Sequence, residues 1–302
     1  MSTNTMNRKD RMIKVLTPRI KSTKESFFLL KKNWLTNLAM YGVLLLILIA
    51  IIVPIVLPAD IHVAQDTHPE FKLQPPSASH PFGTDYLGRD IFKRVLLGTR
   101  ISLTTALLAV GLALLIGIPL GAVAGFYGGR IDELIMRITD IFLGFPPLLL
   151  AIAIAAFLGP NLRNAMIAIA AAWWPWYTRV VRGQAISMKE RQFVKAAKAI
   201  GTPSRKIIFK HILPNCISPI IVQASMDIGG VILTIASLSF LGLGAQSPTP
   251  EWGLMVSTSR NYFLNAWWYS IFPGLAIFFT VLVFNLLGDG LREVLDPKTR
   301  KN

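Results

Sequence analysis

The chain has 302 residues, with 31 Lys+Arg against 16 Asp+Glu and a formal net charge of +15, yet 53% of its residues are hydrophobic and only 16% are charged. This pairing excludes a nucleic-acid binder, whose basic face needs a polar frame, and a disordered chain. With one cysteine, Cys216, it also excludes a disulfide scaffold. What remains is a membrane protein that keeps its positive charge out of the lipid.

Residues 1–33 form a basic tail. Six mostly apolar stretches follow, each about 18 residues or more, enough to cross a bilayer as a helix: Leu35–Leu57, Ile101–Phe126, Ile138–Leu158, Ala165–Val181, Ile217–Leu243 and Trp268–Leu287. None shows strand-type alternation, so the fold class is all-α, a six-helix polytopic membrane protein rather than a barrel. The first stretch is read as a retained anchor. Its basic leader is long, its core exceeds that of a signal peptide, and no A-x-A site follows it. The expected organisation is a tail (1–33), the first span with an outer loop (34–100), a five-helix core (101–290) and a C-terminal tail (291–302).

Of the 31 Lys+Arg, 24 fall in the two tails, the short loop after the second stretch and the segment from Arg179 to His211. The positive-inside rule places those segments, and so both termini, in the cytoplasm.

Within the core, Gly117, Gly121 and Gly125 form a small-residue stripe suited to close helix packing. Asp140 follows Arg137 at i, i+3, a spacing that predicts an ion pair. Pro146-Pro147, Pro175 and Pro273 predict kinks. Asp227 lies deep in the fifth stretch, where a charge costs on the order of 2.5–3.5 kcal/mol. Two readings stand: a pathway-lining residue that meets the positive end of a peptide, or a carboxyl bonded to a neighbouring helix. His62, His68 and His80 belong to the outer loop, and their spacing is not a metal-ligand motif. Trp252, Trp267 and Trp268 are expected at the membrane interface, and Cys216 as an inert core thiol.

Residues 183–214 are too polar to span. Gln192 to Ile200 predicts a short helix ended by Gly201 in a left-handed cap. Thr202 as N-cap and Pro203 at the first helical position predict a second helix to about Ile212, stopping before Pro214. Small alanines let another backbone approach closely, which favours a docking element. The same lysines and arginines also suit an amphipathic helix on anionic lipid.

Lys195-Ala196-Ala197, then Gly201, then Leu213-Pro214, resembles the "EAA" loop of ABC importer membrane subunits. Lys195 departs from the family's Glu, and His211 stands where Ile is usual. His211 to Asn215, together with His80 to Asp90, Leu238 to Gly244 and Pro248 to Gly253, is similar to the oligopeptide/dipeptide/nickel permease branch, in its second subunit type. The resemblance covers residues 30–298 and implies a MetI-like permease fold in a bacterial or archaeal cytoplasmic membrane. It implies a related permease as partner in a heterodimer, two ATPase subunits docked on the loop through Lys195, Ala196, Ala197, Gly201, His211, Leu213 and Pro214, and an extracytoplasmic solute-binding protein. The chain has no G-x-x-x-x-G-K-[ST] loop and no catalytic constellation, so it is expected to be non-catalytic and to hold no cofactor of its own. ATP and Mg belong to the partner ATPases. The implied function is import of short peptides by alternating access, with nickel chelates, glutathione and oligosaccharides as substrate alternatives. An ion-coupled transporter or channel is the competing class. It would need several paired ionisable groups in the spans.

Overall fold

The computed structural model describes residues 33–57 and 67–295. Most of the basic N-terminal tail, His62 and residues 296–302 lie outside the described residues. Apart from one isolated bridge between Thr84 and Asp90, the regular structure of the described residues is helical.

Helix α1 (Trp34–Val56) starts where the Asn33 side chain accepts from the Leu35 N–H at 3.0 Å. Most of its side chains are exposed, as expected for a helix clothed by lipid or by another chain. Helix α2 (Ile91–Tyr127) is 37 residues long and starts ten residues before the predicted span. Asp90 is the reason: its carboxylate caps the Lys93 N–H at 3.0 Å. At 1.5 Å per residue α2 spans about 55 Å, well beyond the roughly 30 Å of a hydrocarbon core. It ends at Gly128, whose φ of +69° suits glycine.

The third predicted span is not one helix. It is α3 (Gly129–Leu143) followed by α4 (Pro147–Leu158), bent by 86°. Pro146 and Pro147 lack N–H groups and push the preceding residue out of helical geometry, so the predicted kink becomes a break. Pro175 and Pro273, in contrast, sit inside continuous helices, α5 (Leu162–Lys189) and α10 (Trp267–Leu295).

Four helical stretches are long and apolar enough to cross a membrane, or five if the α3–α4 pair counts as one span. The predicted fourth span, now α5, is not among them. It is long enough at 28 residues but carries Arg163, Arg179 and Arg182. These arginines are exposed or half-buried and stand towards the two ends of the helix, and the face between them is wrapped by protein. Ala165, Ala168, Ile169, Tyr177, Thr178, Val181 and Ala185 are buried, and the helix packs along α2, α4 and α8 (Leu213–Phe240).

The α2–α5 contact rests on the predicted glycine stripe. A Cβ on Gly117, Gly121 or Gly125 would stand 2.7, 2.5 or 2.6 Å from the carbonyl oxygens of Trp174, Thr178 and Arg182. Backbone therefore meets backbone, and the stripe serves packing within the chain.

At the end opposite residues 190–213, the outer loop is a folded cap. Asp85 is buried and accepts from the N–H groups of Leu87 (2.8 Å) and Arg89 (3.0 Å) and from Arg89 Nε (2.7 Å). His80 Nδ1 lies 2.9 Å from Asp90, and His68 Nδ1 lies 3.2 Å from Glu70. Among the described residues no group of three or more His, Cys, Asp or Glu could hold a metal.

Helix α9 (Trp252–Ser259) lies beneath this cap, its first turn held by Glu251, which accepts from the Gly253 and Leu254 N–H groups at 2.9 Å. Burial pushes the Glu251 carboxyl above its ordinary range, and these bonds oppose the shift. Of the three tryptophans expected at the membrane interface, only Trp267 is exposed. Trp252 and Trp268 are buried, and their indole N–H groups donate to the carbonyls of Val95 (2.9 Å) and Thr84 (3.3 Å). A buried indole needs an acceptor, and here the acceptors tie cap to helix.

Candidate coupling loop and membrane-embedded polar site

The loop after α5 folds as predicted in its first half. Helix α6 (Gln192–Ala199) ends at Gly201, with φ +76°. Thr202 does not open the next helix. Its N–H donates to the Ala197 carbonyl at 3.0 Å and so completes the cap of α6. Pro203, expected at the first helical position, is instead the N-cap of α7 (Ser204–Ile207), which starts one residue later than expected.

Nor does the second helix stop before Pro214. A π-turn, Ile208–Ile212, carries it into α8, with the Leu213 N–H bonded to the Ile208 carbonyl. Pro214 cannot donate and its ring crowds the carbonyl four residues back. Widening one turn accommodates it without ending the helix. The fifth span is thus rigidly continuous with the loop from Ser204 to Phe240.

One face of the loop is anchored. Val194, Ala197, Ile207, Ile208 and Ile212 are buried in a cluster with Ala122 and Phe126 of α2 and Val181 and Ala185 of α5. Lys198 Nζ sits 4.7 Å above the Phe126 ring. The other face is bare: Phe193 is 45% exposed, Ile200 82% and Phe209 67%. Phe193, Ala196 and Ile200 recur at i, i+3 and i+7, one stripe of α6. The His211 ring lies 6.3 Å from that of Phe193 and joins the two short helices.

Of the predicted loop residues, Lys195, Ala196, Gly201 and Pro214 are exposed, His211 and Leu213 are half-buried, and Ala197 belongs to the anchor. Lys195 pairs with Glu190 at 2.9 Å, and its ammonium holds the Glu190 carboxyl below the usual range. Sequence reasoning missed Phe193, Ile200 and Phe209, although the i, i+3, i+7 recurrence in α6 was available.

Asp140 is paired, but with Arg179 of α5 (2.7 Å). Arg137 turns back to Glu133 at i−4 (2.5 Å). Arg182 grips Asp132 through both oxygens (2.5 and 2.7 Å), a bidentate pair between α5 and α3.

Asp227 sits midway along α8. Gln223 Nε2, one turn back on the same helix, donates to its Oδ1 at 3.0 Å. Its Oδ2 is buried and has no hydrogen-bond partner among the described residues. The Tyr177 hydroxyl of α5 lies beside it and is equally buried, close enough to interact with the carboxyl although the pair does not meet strict hydrogen-bond geometry. Two facing, unsatisfied polar atoms cost about 1–3 kcal/mol each. Cys216 is buried in the loop's anchor cluster, as expected for a core thiol.

Residues 117–301 match the model of the binding-protein-dependent transport system inner membrane component family. The chain belongs to that family. It is 51% identical over 277 residues (92% of this chain, 90% of the relative) to the dipeptide transport system permease protein DppC of Alkalihalophilus pseudofirmus. It is 49% identical over 225 residues (74% of this chain, 75% of the relative) to the glutathione transport system permease protein GsiD of Pectobacterium atrosepticum. Its fold is similar to a chain of the MetNI methionine ABC transporter in inward-facing conformations, with a TM-score of 0.56 and 17% identity over 68% of this chain and 97% of that one. The family member is thus an ABC importer permease, a multi-pass membrane protein and a transport subunit.

Proposed function

We propose that the chain is one of two related permease subunits of an ATP-driven importer of short peptides. The observation that carries this is the 51% identity to a dipeptide permease over nine-tenths of both chains. Glutathione, itself a short peptide, is the substrate alternative, favoured by the GsiD relative. Both termini and the 190–213 loop face the cytoplasm of a bacterium or archaeon, in keeping with the distribution of Lys and Arg. A solute-binding protein delivers the peptide at the capped end. Two ATPases, which carry ATP and Mg, dock on the loops.

Docking is supported by the division of the loop into two faces. One is fixed to α2 and α5, and the other presents Phe193, Ile200 and Phe209 amid Arg191, Lys195, Arg205, Lys206 and Lys210. An apolar centre with a charged rim is the anatomy of a protein interface. The basic rim calls for a groove with acidic walls on the ATPase. ATP-driven closure of the ATPases would move the loop and, with it, the continuous helix from Ser204 to Phe240.

The test is reconstitution with the partner permease, ATPases and binding protein, followed by labelled dipeptide uptake. Ile200→Asp should cut ATPase recovery on the permease pair at least tenfold and abolish uptake, with the permease pair still intact. Full ATPase association and uptake would refute the docking role. Failure of the unaltered importer to take up any di- or tripeptide would refute the substrate.

A further inference from the structure

Asp227 is only half-buried, whereas Tyr177 behind it is fully enclosed. Part of Asp227 is thus reached from the surface of the subunit, while its Oδ2 and the Tyr177 hydroxyl are buried behind it. The neighbourhood is rigid. Gly117 brings α2 so close that its Cβ would stand 2.7 Å from that of Tyr177, which fixes the tyrosine backbone. On the far side of α8, a Cβ on Gly229 would meet the Val281 carbonyl at 3.2 Å. α5 is thus packed closely on α2, and α8 on the helix that carries Val281. Asp227 holds a carboxyl group at mid-helix, with Oδ1 bonded to Gln223 and Oδ2 buried without a hydrogen-bond partner among the described residues.

We propose that Asp227, supported by Tyr177 and Gln223, is an ammonium-recognition point that meets the protonated amino end of the peptide as it passes. This rests on the peptide-permease reading above. The chemistry selects the ligand. An anion is repelled, and no group of three or more candidate metal ligands exists among the described residues. A primary ammonium carries one charge and three donors, and it can bond to the part-buried Asp227 Oδ1 beside the Gln223 amide oxygen, with Tyr177 supporting the carboxyl from behind. An intramembrane acid is a functional position by its cost.

The experiment compares the complete reconstituted importer with Asp227→Asn, Asp227→Glu and Tyr177→Phe versions, reading dipeptide uptake at pH 6.5 and pH 9.5. The free α-amino group titrates at about 7.7–8.0, so it is charged at the first pH and neutral at the second. At pH 6.5, Asp227→Asn should slow uptake about tenfold, Tyr177→Phe several-fold, and Asp227→Glu should recover part of the rate. At pH 9.5 the wild-type advantage over Asp227→Asn should shrink below about threefold, because the ammonium is gone. The binding protein is common to every arm, so the ratio isolates the permease. Uptake by Asp227→Asn within twofold of wild type at pH 6.5 overturns the proposal. So does a ratio that does not change with pH, and so does loss of the permease pair on gel filtration, which would make Asp227 a packing or partner-contact residue. A wild-type importer that moves no peptide instead sinks the functional reading itself.

Discussion

The α2–α5 contact makes a prediction in which one chemical change has opposite signs at two places on one helix. At Gly121 an added methyl would stand 2.5 Å from the Thr178 carbonyl and 2.8 Å from Val181 Cβ. Ordinary contacts begin near 3.4 Å, so the helices must part by close to 1 Å along a contact that also includes Gly117 and Gly125. Overpacking of this kind costs about 1–3 kcal/mol. At Gly111, also within α2, nothing lies within 4 Å. There the methyl only removes backbone freedom, a gain of about 0.5–1 kcal/mol. In the purified complex, in one detergent, thermal unfolding followed by tryptophan fluorescence should show Gly121→Ala below wild type and Gly111→Ala at or above it. Trimming Val181 to Ala should not rescue Gly121→Ala, because the crowding atoms are a backbone oxygen and a Cβ that alanine keeps. Equal midpoints for the two variants, or a stable Gly121→Ala, would refute backbone-to-backbone packing of α2 on α5.

Two further expectations concern the cap and the loop. Trp252→Phe should lose about 1 kcal/mol through the bond to Val95, and Trp252→Ala about 3–5 kcal/mol through the cavity as well, both read as unfolding midpoints; equal losses would mean that the indole N–H contributes nothing. Lys195→Glu should weaken ATPase recovery by setting a second acid beside Glu190 and reversing the rim charge, and adding Glu190→Lys should restore part of it. Recovery unchanged by either reversal, at low salt, would show that the basic rim does not face the ATPase.

Much of the architecture was legible because lipid imposes one strong rule, apolarity over a fixed length. Helix α1 obeys it throughout and was placed within one residue at each end. The rule weakens where protein replaces lipid. Helix α5 was read as a span over Ala165–Val181 and is a central helix packed on α2, α4 and α8, yet it is not among the helices apolar enough to cross by themselves. The rule fails beyond the lipid: residues 91–100 include Lys93, Arg94 and Arg100, so hydropathy does not register the first turns of α2, although Asp90 is an ordinary N-cap. Trp252 and Trp268 look like interface residues by composition, and only the tertiary fold supplies the carbonyls they bond, Val95 of α2 and Thr84 of the cap. In the site, Gly201 was legible because its local geometry needs glycine. The π-turn was not, since Pro214 reads as a stop unless the preceding turn widens. Asp227 announced itself by its cost. Tyr177 could not be foreseen, because its relation to Asp227 depends on how two distant segments cross.

The loop and the polar site are joined by one unbroken packed column. Val194 and Ala197 bury against Ala122, Phe126, Val181 and Ala185. Gly125, Gly121 and Gly117 then lock α2 to α5 turn by turn, up to Tyr177 beside Asp227. Contiguity alone is not coupling; coupling requires that moving the loop bias the column. The anchor offers a test, since Val194 is fully buried and holds the loop without lying on its bare face. Val194→Ala removes about 1–2 kcal/mol of that packing and leaves Phe193, Ile200 and Phe209 in place to hold the ATPase. The expected result is an importer that binds its ATPases and hydrolyses ATP but moves less peptide per ATP. The measurement is the ratio of phosphate released to labelled dipeptide taken up, in the same proteoliposomes. If that ratio stays at the wild-type value while ATPase recovery is unchanged, the anchor is only structural, and motion must reach the spans by the continuous helix from Ser204 to Phe240 alone.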